Sequence, residues 1–269
     1  MASLERTDLG LRATARRRGL LAALETPGDV FRYLGPNWFA SVMGTGIVAN
    51  AAVLLPRRAP GMHISAAVVW VLAVVLLAAL TAATVLHWVR YPAIARGHAS
   101  DPAMAPFYGA PPMAMMTVGA GALLVGKDLI GTDVAVGVDV VLWTLGTVTG
   151  LAASAVVPYL MFTRHDLSVQ STFGYWLMPV VPPMVSAATG AALLAHVPAG
   201  QARLDLLLAC YAMFGLSLLA SLVTITLVWG RLAYHGAGPA RTVPTLWIVL
   251  ARWGSRSPLP ACSPTSRPG

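Results

Sequence analysis

Residues 64–89 read ISAAVVWVLAVVLLAALTAATVLHWV, a run of 26 residues without an aspartate, glutamate, lysine or arginine. A helix needs about 20 mostly apolar residues to cross the hydrocarbon core of a bilayer. The run therefore predicts a transmembrane helix, and it makes lipid the expected surroundings of the fold.

The composition of the whole chain agrees with a membrane setting. Only 10% of the 269 residues are charged and 57% are hydrophobic, and the mean hydropathy is +0.71. A soluble domain of this size has more surface than so few charges can cover. The net charge of +8 does not indicate nucleic acid, because the arginines lie between apolar stretches and form no phosphate-tracking segment. Residues 1–29 lack the apolar core of a signal peptide, so the helices themselves must direct membrane insertion.

Hydropathy predicts five more complete spans around the first. The six predicted spans are residues 37–55, 64–89, 110–130, 134–162, 173–197 and 204–232. Pro182 and Pro183 are placed inside the fifth span, and a seventh begins at Pro244 but loses its apolar character after Leu250. The expected fold is all-α, with residues 1–30 as an N-terminal tail, 31–250 as an incomplete membrane domain and 251–269 as a disordered tail.

Basic residues are distributed unequally between the two sides of the predicted spans. Eleven fall on the N-terminal side: Arg6, Arg12, Arg16, Arg17, Arg18, Arg32, Arg90, Arg96, Arg164, Arg231 and Arg241. Four fall on the other side: Arg57, Arg58, Lys127 and Arg203. Because positive charge stays on the cytoplasmic side, the N-terminus is predicted to be cytoplasmic in a multi-pass protein of the plasma membrane.

Prolines reveal a weak internal repeat of roughly 70 residues. They recur near the start of, or within, the odd-numbered spans, at Pro36, Pro111, Pro112, Pro182, Pro183 and Pro244. The even-numbered spans are smoother, with only Pro158 near the end of the fourth. This pattern predicts repeated hairpins of one irregular and one regular helix. Irregular backbone inside a membrane is tolerated only where protein or water surrounds it, which favours a pore or a transporter.

The odd-numbered spans also carry the residues expected to form a pathway for a small anion. Helix N-termini, amides freed at kinks and hydroxyl groups can attract an anion without buried arginines. The candidate pathway residues are Gly44, Thr45, Gly46, Thr117, Pro182, Pro183 and Ser186. Small residues are also common where membrane helices pack closely, so both interpretations of Gly44-Thr45-Gly46 stay open.

Other polar side chains give weaker signals. Asp139 is either a proton-coupling carboxylate or, as favoured here, an interfacial residue near Asp133. The histidines lie near predicted helix ends or in loops and show no metal-site spacing: His63, His87, His98, His165, His196 and His235. No serine within the spans has a histidine partner at its depth, so neither an enzyme nor a metal or cofactor is expected. Cys210 and the methionines Met113, Met115 and Met116 are interpreted as packing residues.

Three motifs add a family resemblance. Residues 35–48, GPNWFASVMGTGIV, resemble the opening-helix signature of the tellurite-resistance/dicarboxylate transporter family. That family includes slow-type anion channels of plants, malate permeases and sulfite efflux pumps. Residues 175–185, YWLMPVVPPMV, resemble its fifth helix, and residues 243–250, VPTLWIVL, resemble the start of its seventh. The resemblance extends over about residues 31–250.

The resemblance implies ten helices, arranged as five hairpins around a central pore that the odd-numbered helices line. It also implies a small anionic substrate (a C4-dicarboxylate such as malate, or a sulfite- or tellurite-type oxyanion), a homo-oligomer that is commonly trimeric, and no enzymatic cofactor. The family's phenylalanine gate lies on a ninth helix and cannot be carried over to this chain. The alternatives are a non-transporting membrane protein or assembly partner and, less favoured, a membrane-embedded enzyme.

The C-terminal sequence departs from the family pattern after Leu250. The family continues Gly-Pro-Leu-Gly-Gln-Ser, whereas residues 251–261 read ARWGSRSPLPA. Arginine at the bilayer centre costs about 2.5–3.5 kcal/mol on insertion scales, so these residues cannot complete a span. One nucleotide inserted before the Ala251 codon of a plausible back-translation re-reads the segment as GPLGQSVTAAG, which predicts a frameshift. Sequencing the coding DNA at Leu250 distinguishes a frameshift from a short paralogue. The chain as written is expected to fold poorly or conduct nothing, and the frame-restored product to transport.

Overall fold

A computed structural model describes residues 34–56, 60–164, 172–236 and Thr245. Its seven helices are α1 (Pro36–Leu54), α2 (Met62–Arg90), α3 (Pro92–Ser100), α4 (Ala105–Ile130), α5 (Thr132–Arg164), α6 (Pro182–Leu193) and α7 (Gln201–His235). No strand occurs in the described part of the chain, and α1, α2, α4, α5 and α7 are long and apolar enough to cross a membrane. The all-α membrane fold is confirmed. The predictions for residues 1–30 and 251–269, and for the seventh span except Thr245, lie outside the described residues.

The predicted fifth span is wrong as a continuous helix. The chain instead forms a 3-10 turn at Gly174–Leu177, passes through turns, and starts α6 at Pro182. Proline has no N–H group and clashes with the preceding helical turn, but it fits the first turn, where the N–H would have no helical partner. Pro182 and Pro183 therefore begin a helix and do not lie inside one. The other five predicted spans are confirmed within a few residues.

The six main helices form three hairpins in two layers. Each of α1, α4 and α6 packs against the helix that follows it in the repeat, namely α2, α5 and α7. Helix α4 also contacts both α1 and α6. In its most apolar 18-residue segment 67% of the residues are buried, against 22–28% in the corresponding segments of the other four spans. We call α1, α4 and α6 the inner helices, and α2, α5 and α7 the outer helices. The predicted alternation is confirmed, because the outer helices are continuous and the inner ones are irregular.

A 3-10 turn precedes each inner helix or opens it. These three entry turns, Pro36–Trp38, Ala105–Gly109 and Gly174–Leu177, contact one another in series, and the third also contacts α7. Gly109 lies so close to the Met178 carbonyl oxygen that any side chain there would overlap it. All three turns lie on the arginine-rich side of the bundle, so the repeat seen in sequence becomes a row of helix starts at one end.

Helix α3 occupies what sequence assigned to the loop after the second span. Its Ala95 is buried, and the carbonyl oxygen of Ala95 accepts a 3.3 Å hydrogen bond from the Tyr108 hydroxyl group. Arg96 therefore lies on a helix docked against the entry turn of α4. This position keeps Arg96 on the side of the membrane that the charge bias predicted.

Candidate functional site

The two glycines of the Gly44-Thr45-Gly46 motif have different surroundings on α1. A Cβ atom at Gly46 would lie 2.9 Å from Cγ2 of Thr117 and 3.8 Å from Cβ of Ala73. A Cβ atom at Gly44 would meet nothing within 4 Å. Gly46 is therefore a close-packing position between α1 and α4, as the packing interpretation expected. Gly44 has no packing role among the described residues and stays open as a pathway residue.

Gly44 belongs to a polar stripe on the exposed side of α1. We define the α1 stripe as Ser41, Gly44 and Thr45, of which Ser41 and Gly44 are exposed and Thr45 is partly exposed. The Ser41 hydroxyl group donates to the Trp38 carbonyl oxygen at 2.7 Å, and that of Thr45 donates to the Ser41 carbonyl oxygen at 2.8 Å. Such bonds within a helix are local and weak, so an approaching anion can compete for both hydroxyl protons.

Ser186 lies in a different environment, at a joint between three helices. Its side chain is fully buried on α6, 3.0 Å from the Met116 sulfur of α4, and it accepts a 3.1 Å hydrogen bond from the Thr147 hydroxyl group of α5. The indole N–H of Trp143 donates to the Ser186 carbonyl oxygen at 2.9 Å. These contacts hold α6 against its neighbours. Ser186 is thus closed off within the described bundle, and the Met116 packing prediction is confirmed.

The paired prolines place the N-terminus of α6 at the same joint. Pro182 and Pro183 are both buried. A Cβ atom at Gly150 of α5 would lie 2.8 Å from Cβ of Pro182 and 3.4 Å from Cβ of Pro112. The glycine therefore allows α5 to approach the proline-rich starts of two inner helices at once.

Thr117 marks an irregular segment of α4 that sequence did not predict. Its carbonyl oxygen accepts a 3.1 Å hydrogen bond from the Asn50 side-chain amide, and the next carbonyl, of Val118, accepts one of 3.1 Å from the indole of Trp70. The backbone then takes π-helical geometry over Ala122–Gly126. Single π turns inside α-helices are rare and frequently occur at functional sites. The signal available in sequence was a lone asparagine in an apolar span.

Asp139 is buried against a neighbouring helix, which the sequence did not predict. It is 0% exposed and lies against α4, where a Cβ atom at Gly119 would come within 2.6 Å of a carboxyl oxygen. Neither carboxyl oxygen has a hydrogen-bond partner among the described residues. Burying an ionised carboxylate without a partner costs on the order of several kcal/mol. The position is therefore energetically unusual for this bundle.

Arg231 lies inside α7, one residue before the end of the predicted sixth span. Its side chain is 3% exposed, and the guanidinium carbon lies 4.2 Å from the centroid of the Phe173 ring. Phe173 stacks on Tyr175 of the third entry turn, with centroids 5.5 Å apart. A cation above an aromatic face is stabilised by the ring quadrupole. Arg231 thus ties α7 to an entry turn and adds a buried positive charge at that end of the bundle.

A histidine pair joins α2 to α3. His87 lies in the last turn of α2, as predicted, but is only 2% exposed, and its ring stacks on that of His98 with centroids 5.4 Å apart. Burial lowers the pKa of His98, and the neighbouring His87 lowers it further. No group of three or more potential metal ligands occurs among the described residues.

Comparison with known proteins identifies the family. The family model described as voltage-dependent anion channel matches residues 33–257. The chain belongs to the voltage-dependent anion channel family. This result confirms the resemblance found in the sequence motifs, and it makes the chain a multi-pass member of a family of anion channels and transporters.

Curated relatives match most of this chain but only part of their own length. A sulfite efflux pump of Arthroderma otae is 28% identical over 219 residues, 81% of this chain and 58% of the pump. A sulfite efflux pump of Trichophyton rubrum is 27% identical, with the same two shares. An uncharacterised transporter of Methanocaldococcus jannaschii is 27% identical over 236 residues, 88% of this chain and 66% of that protein. The chain thus spans less than two thirds of the fungal pumps it matches. No solved structure matches it.

Proposed function

We propose that this chain forms the inner and outer helices of a pathway for small anions, with sulfite and C4-dicarboxylates as the leading substrates. The series of three inner-helix starts at one end of the bundle, the third of them beside the buried Arg231, supports this most directly. Helix N-termini carry a positive partial charge, and a buried arginine adds a full one. The sulfite efflux pumps among the relatives support an oxyanion as substrate.

Within this pathway the candidate residues have two roles. The α1 stripe supplies accessible hydroxyl groups along an inner helix, so Thr45 and Ser41 contact the anion. Gly46, Thr117 and Ser186 fix the spacing of the inner helices, because all three are buried in contacts between them. Pro182 and Pro183 set where α6 begins and thereby where its positive end lies.

The proposal also covers the membrane location and the oligomeric state of the protein. The protein lies in the plasma membrane with its N-terminus in the cytoplasm, which the arginine bias supports. It assembles as a homo-oligomer, a trimer by resemblance to the family, and acts as a channel or carrier without enzymatic activity. The outer helices expose large apolar side chains that suit lipid or a neighbouring subunit, such as Val75, Leu219 and Val223.

Anion flux in proteoliposomes tests the proposal. Sulfite and malate efflux are measured for this chain and for the product of its gene with the reading frame restored after Leu250. We expect flux above protein-free liposomes from at least one of them. Absence of flux from both, with helical content retained by circular dichroism, would overturn the proposed function.

A matched pair of variants then tests the pathway in whichever protein conducts. Thr45→Val removes a hydroxyl group of the α1 stripe, and Thr226→Val removes one from an exposed position of the outer helix α7. Both hydroxyl groups donate to a carbonyl oxygen one turn back, at 2.8 Å, so the two changes are chemically alike. We expect Thr45→Val alone to reduce flux, by several-fold. Equal flux from the two variants would show that the α1 stripe does not line the pathway.

A further inference from the structure

A cavity on the arginine-rich side of the bundle lies outside the proposed pathway. It has a volume of about 420 Å³ and is lined by Arg96, Ala99 and Ser100 of α3 and by Leu160 and Arg164 of α5. This volume falls within the range of about 300–1,000 Å³ that is usual for small-molecule sites. The cavity therefore has room for a ligand group and not only for a few waters.

Among the described residues, the charges lining this cavity are of one sign. Its two charged lining residues are arginines from two different helices, and no acidic side chain of the described part of the chain lines it. The described acid nearest to the cavity along the chain is Asp101, whose carboxylate accepts a 2.9 Å hydrogen bond from the Ala103 N–H group. A helix C-terminus favours a cation, which accounts for Arg164 alone. It does not account for two arginines lining a common cavity.

The depth of the cavity matches the headgroup region of a bilayer. Helix α5 has 33 residues, and at about 1.5 Å per residue it is about 50 Å long, against about 30 Å for the hydrocarbon core. Arg164 is its last described residue, so a helix of this length centred in the bilayer places it beyond the hydrocarbon, at about the level of the lipid phosphates. Helix α3, which carries Arg96, is short and lies outside the five membrane-spanning helices.

An apolar surface continues from the cavity toward the membrane interior. Leu160 lines the cavity itself, and Val156 and Tyr159, which precede it on α5, are 51% and 65% exposed. A ligand with a phosphate head and acyl chains can therefore place both ends in matching surroundings. A free phosphate ion would use only the two arginines.

We propose that this cavity binds the headgroup of an anionic phospholipid. The Arg96 and Arg164 guanidinium groups contact the phosphate, since arginine presents a planar set of donors that fits phosphate oxygens. The acyl chains lie along Leu160 and Tyr159 of α5. Basic pockets between membrane helices on the cytoplasmic side have this recognition chemistry.

Binding is measured on the purified chain in detergent, by native mass spectrometry and by fluorescence titration. The probes are a phosphatidylglycerol, the phosphatidylcholine with the same acyl chains, and inorganic phosphate. We expect phosphatidylglycerol to bind at least tenfold more tightly than phosphatidylcholine. Arg96→Gln and Arg164→Gln should each weaken phosphatidylglycerol binding about fivefold, since a basic residue near an anionic surface contributes about that factor.

Two variants serve as controls, and neither test requires transport. Arg203→Gln removes an exposed arginine at the opposite end of the bundle, so it should leave binding unchanged. Arg96→Lys keeps the charge and should retain most of the affinity. Equal binding of the two lipids, or no loss in either glutamine variant, would overturn the proposal. Displacement of phosphatidylglycerol by millimolar inorganic phosphate would also overturn it, because the site would then be one for free phosphate.

Discussion

Two alanine substitutions in one motif test how closely α1 and α4 pack. Gly46→Ala places a methyl group 2.9 Å from Cγ2 of Thr117, whereas Gly44→Ala places one in open space. Carbon atoms in favourable contact lie about 3.5–4.0 Å apart, so Thr117 or the helices must shift by about 0.6 Å or more. Thr117 is buried, and its hydroxyl group donates to the Met113 carbonyl oxygen at 2.7 Å, which limits that shift.

The expected loss of stability is worked out from the difference between the two variants. Inserting a methyl group into a packed interface costs about 1–3 kcal/mol. Replacing glycine by alanine inside a helix gains about 0.8–1.0 kcal/mol, and this gain is common to both positions on α1. Gly46→Ala is therefore expected to be less stable than Gly44→Ala by about 1–3 kcal/mol.

Unfolding in mixed detergent micelles, followed by circular dichroism as the denaturing detergent increases, measures this difference. A second substitution, Thr117→Ser, removes the clashing methyl group and should restore most of the stability lost in Gly46→Ala. The next nearest atoms to the added methyl group lie at 3.7 Å and 3.8 Å, which is ordinary contact. If Gly46→Ala and Gly44→Ala unfold at the same detergent fraction, or if Thr117→Ser gives no recovery, the close packing of α1 on α4 is refuted.

Substitutions at three unusual polar residues, Asp139, Arg231 and His98, are tested by the same unfolding assay. Asp139→Asn should leave the free energy of unfolding unchanged or raise it, because it removes an ionisable group without a partner among the described residues. As a control, Asp133→Asn should lower the free energy of unfolding by about 0.3–1 kcal/mol, because it removes an acid from the first turn of α5. If Asp139→Asn is the more destabilising of the two, the buried position of Asp139 is contradicted. Arg231→Gln should lower the free energy of unfolding by about 2 kcal/mol, because it removes a desolvated cation–π contact. Arg231→Lys keeps the charge and should lower it less. Equal losses in the two variants would show that the charge does not contribute to stability. Burial and His87 lower the pKa of His98 below 6.5, so the unfolded chain binds a proton at this residue more readily than the folded chain. The free energy of unfolding should therefore keep its full value above pH 6.5 and decrease as the pH falls below it. His98→Gln should flatten that dependence, and an unchanged pH profile would exclude His98 as its source.

Hydropathy predicted the membrane-spanning helices well, because lipid imposes one simple condition on them. A span needs about 20 apolar residues whatever its neighbours are, so residues 64–89 identify α2 without tertiary information. The predicted fifth span failed because a hydropathy average scores the polarity of proline and not its effect on helix geometry. The steric clash of Pro182 with a preceding helical turn breaks that span into a 3-10 turn and a short helix.

The charged residues show a different limit of the sequence. The arginine bias assigns Arg231 to a side of the membrane, but it does not say whether the side chain faces water, lipid or protein. Asp139 and His87 were likewise placed near an interface by their distance from the ends of the spans. Their burial depends on which face of each helix meets another helix, and a single sequence does not contain that information.

The sequence by itself determined five of the six predicted spans, the repeated hairpins and the family. Only the tertiary structure divided the candidate pathway residues into buried contacts, such as Gly46 and Ser186, and the accessible positions Gly44, which is exposed, and Thr45, which is partly exposed. Consecutive residues on a helix point about 100° apart, since 3.6 residues complete one turn. Neighbours in one motif therefore have opposite surroundings, and the position of α4 against α1 decides which of them is enclosed.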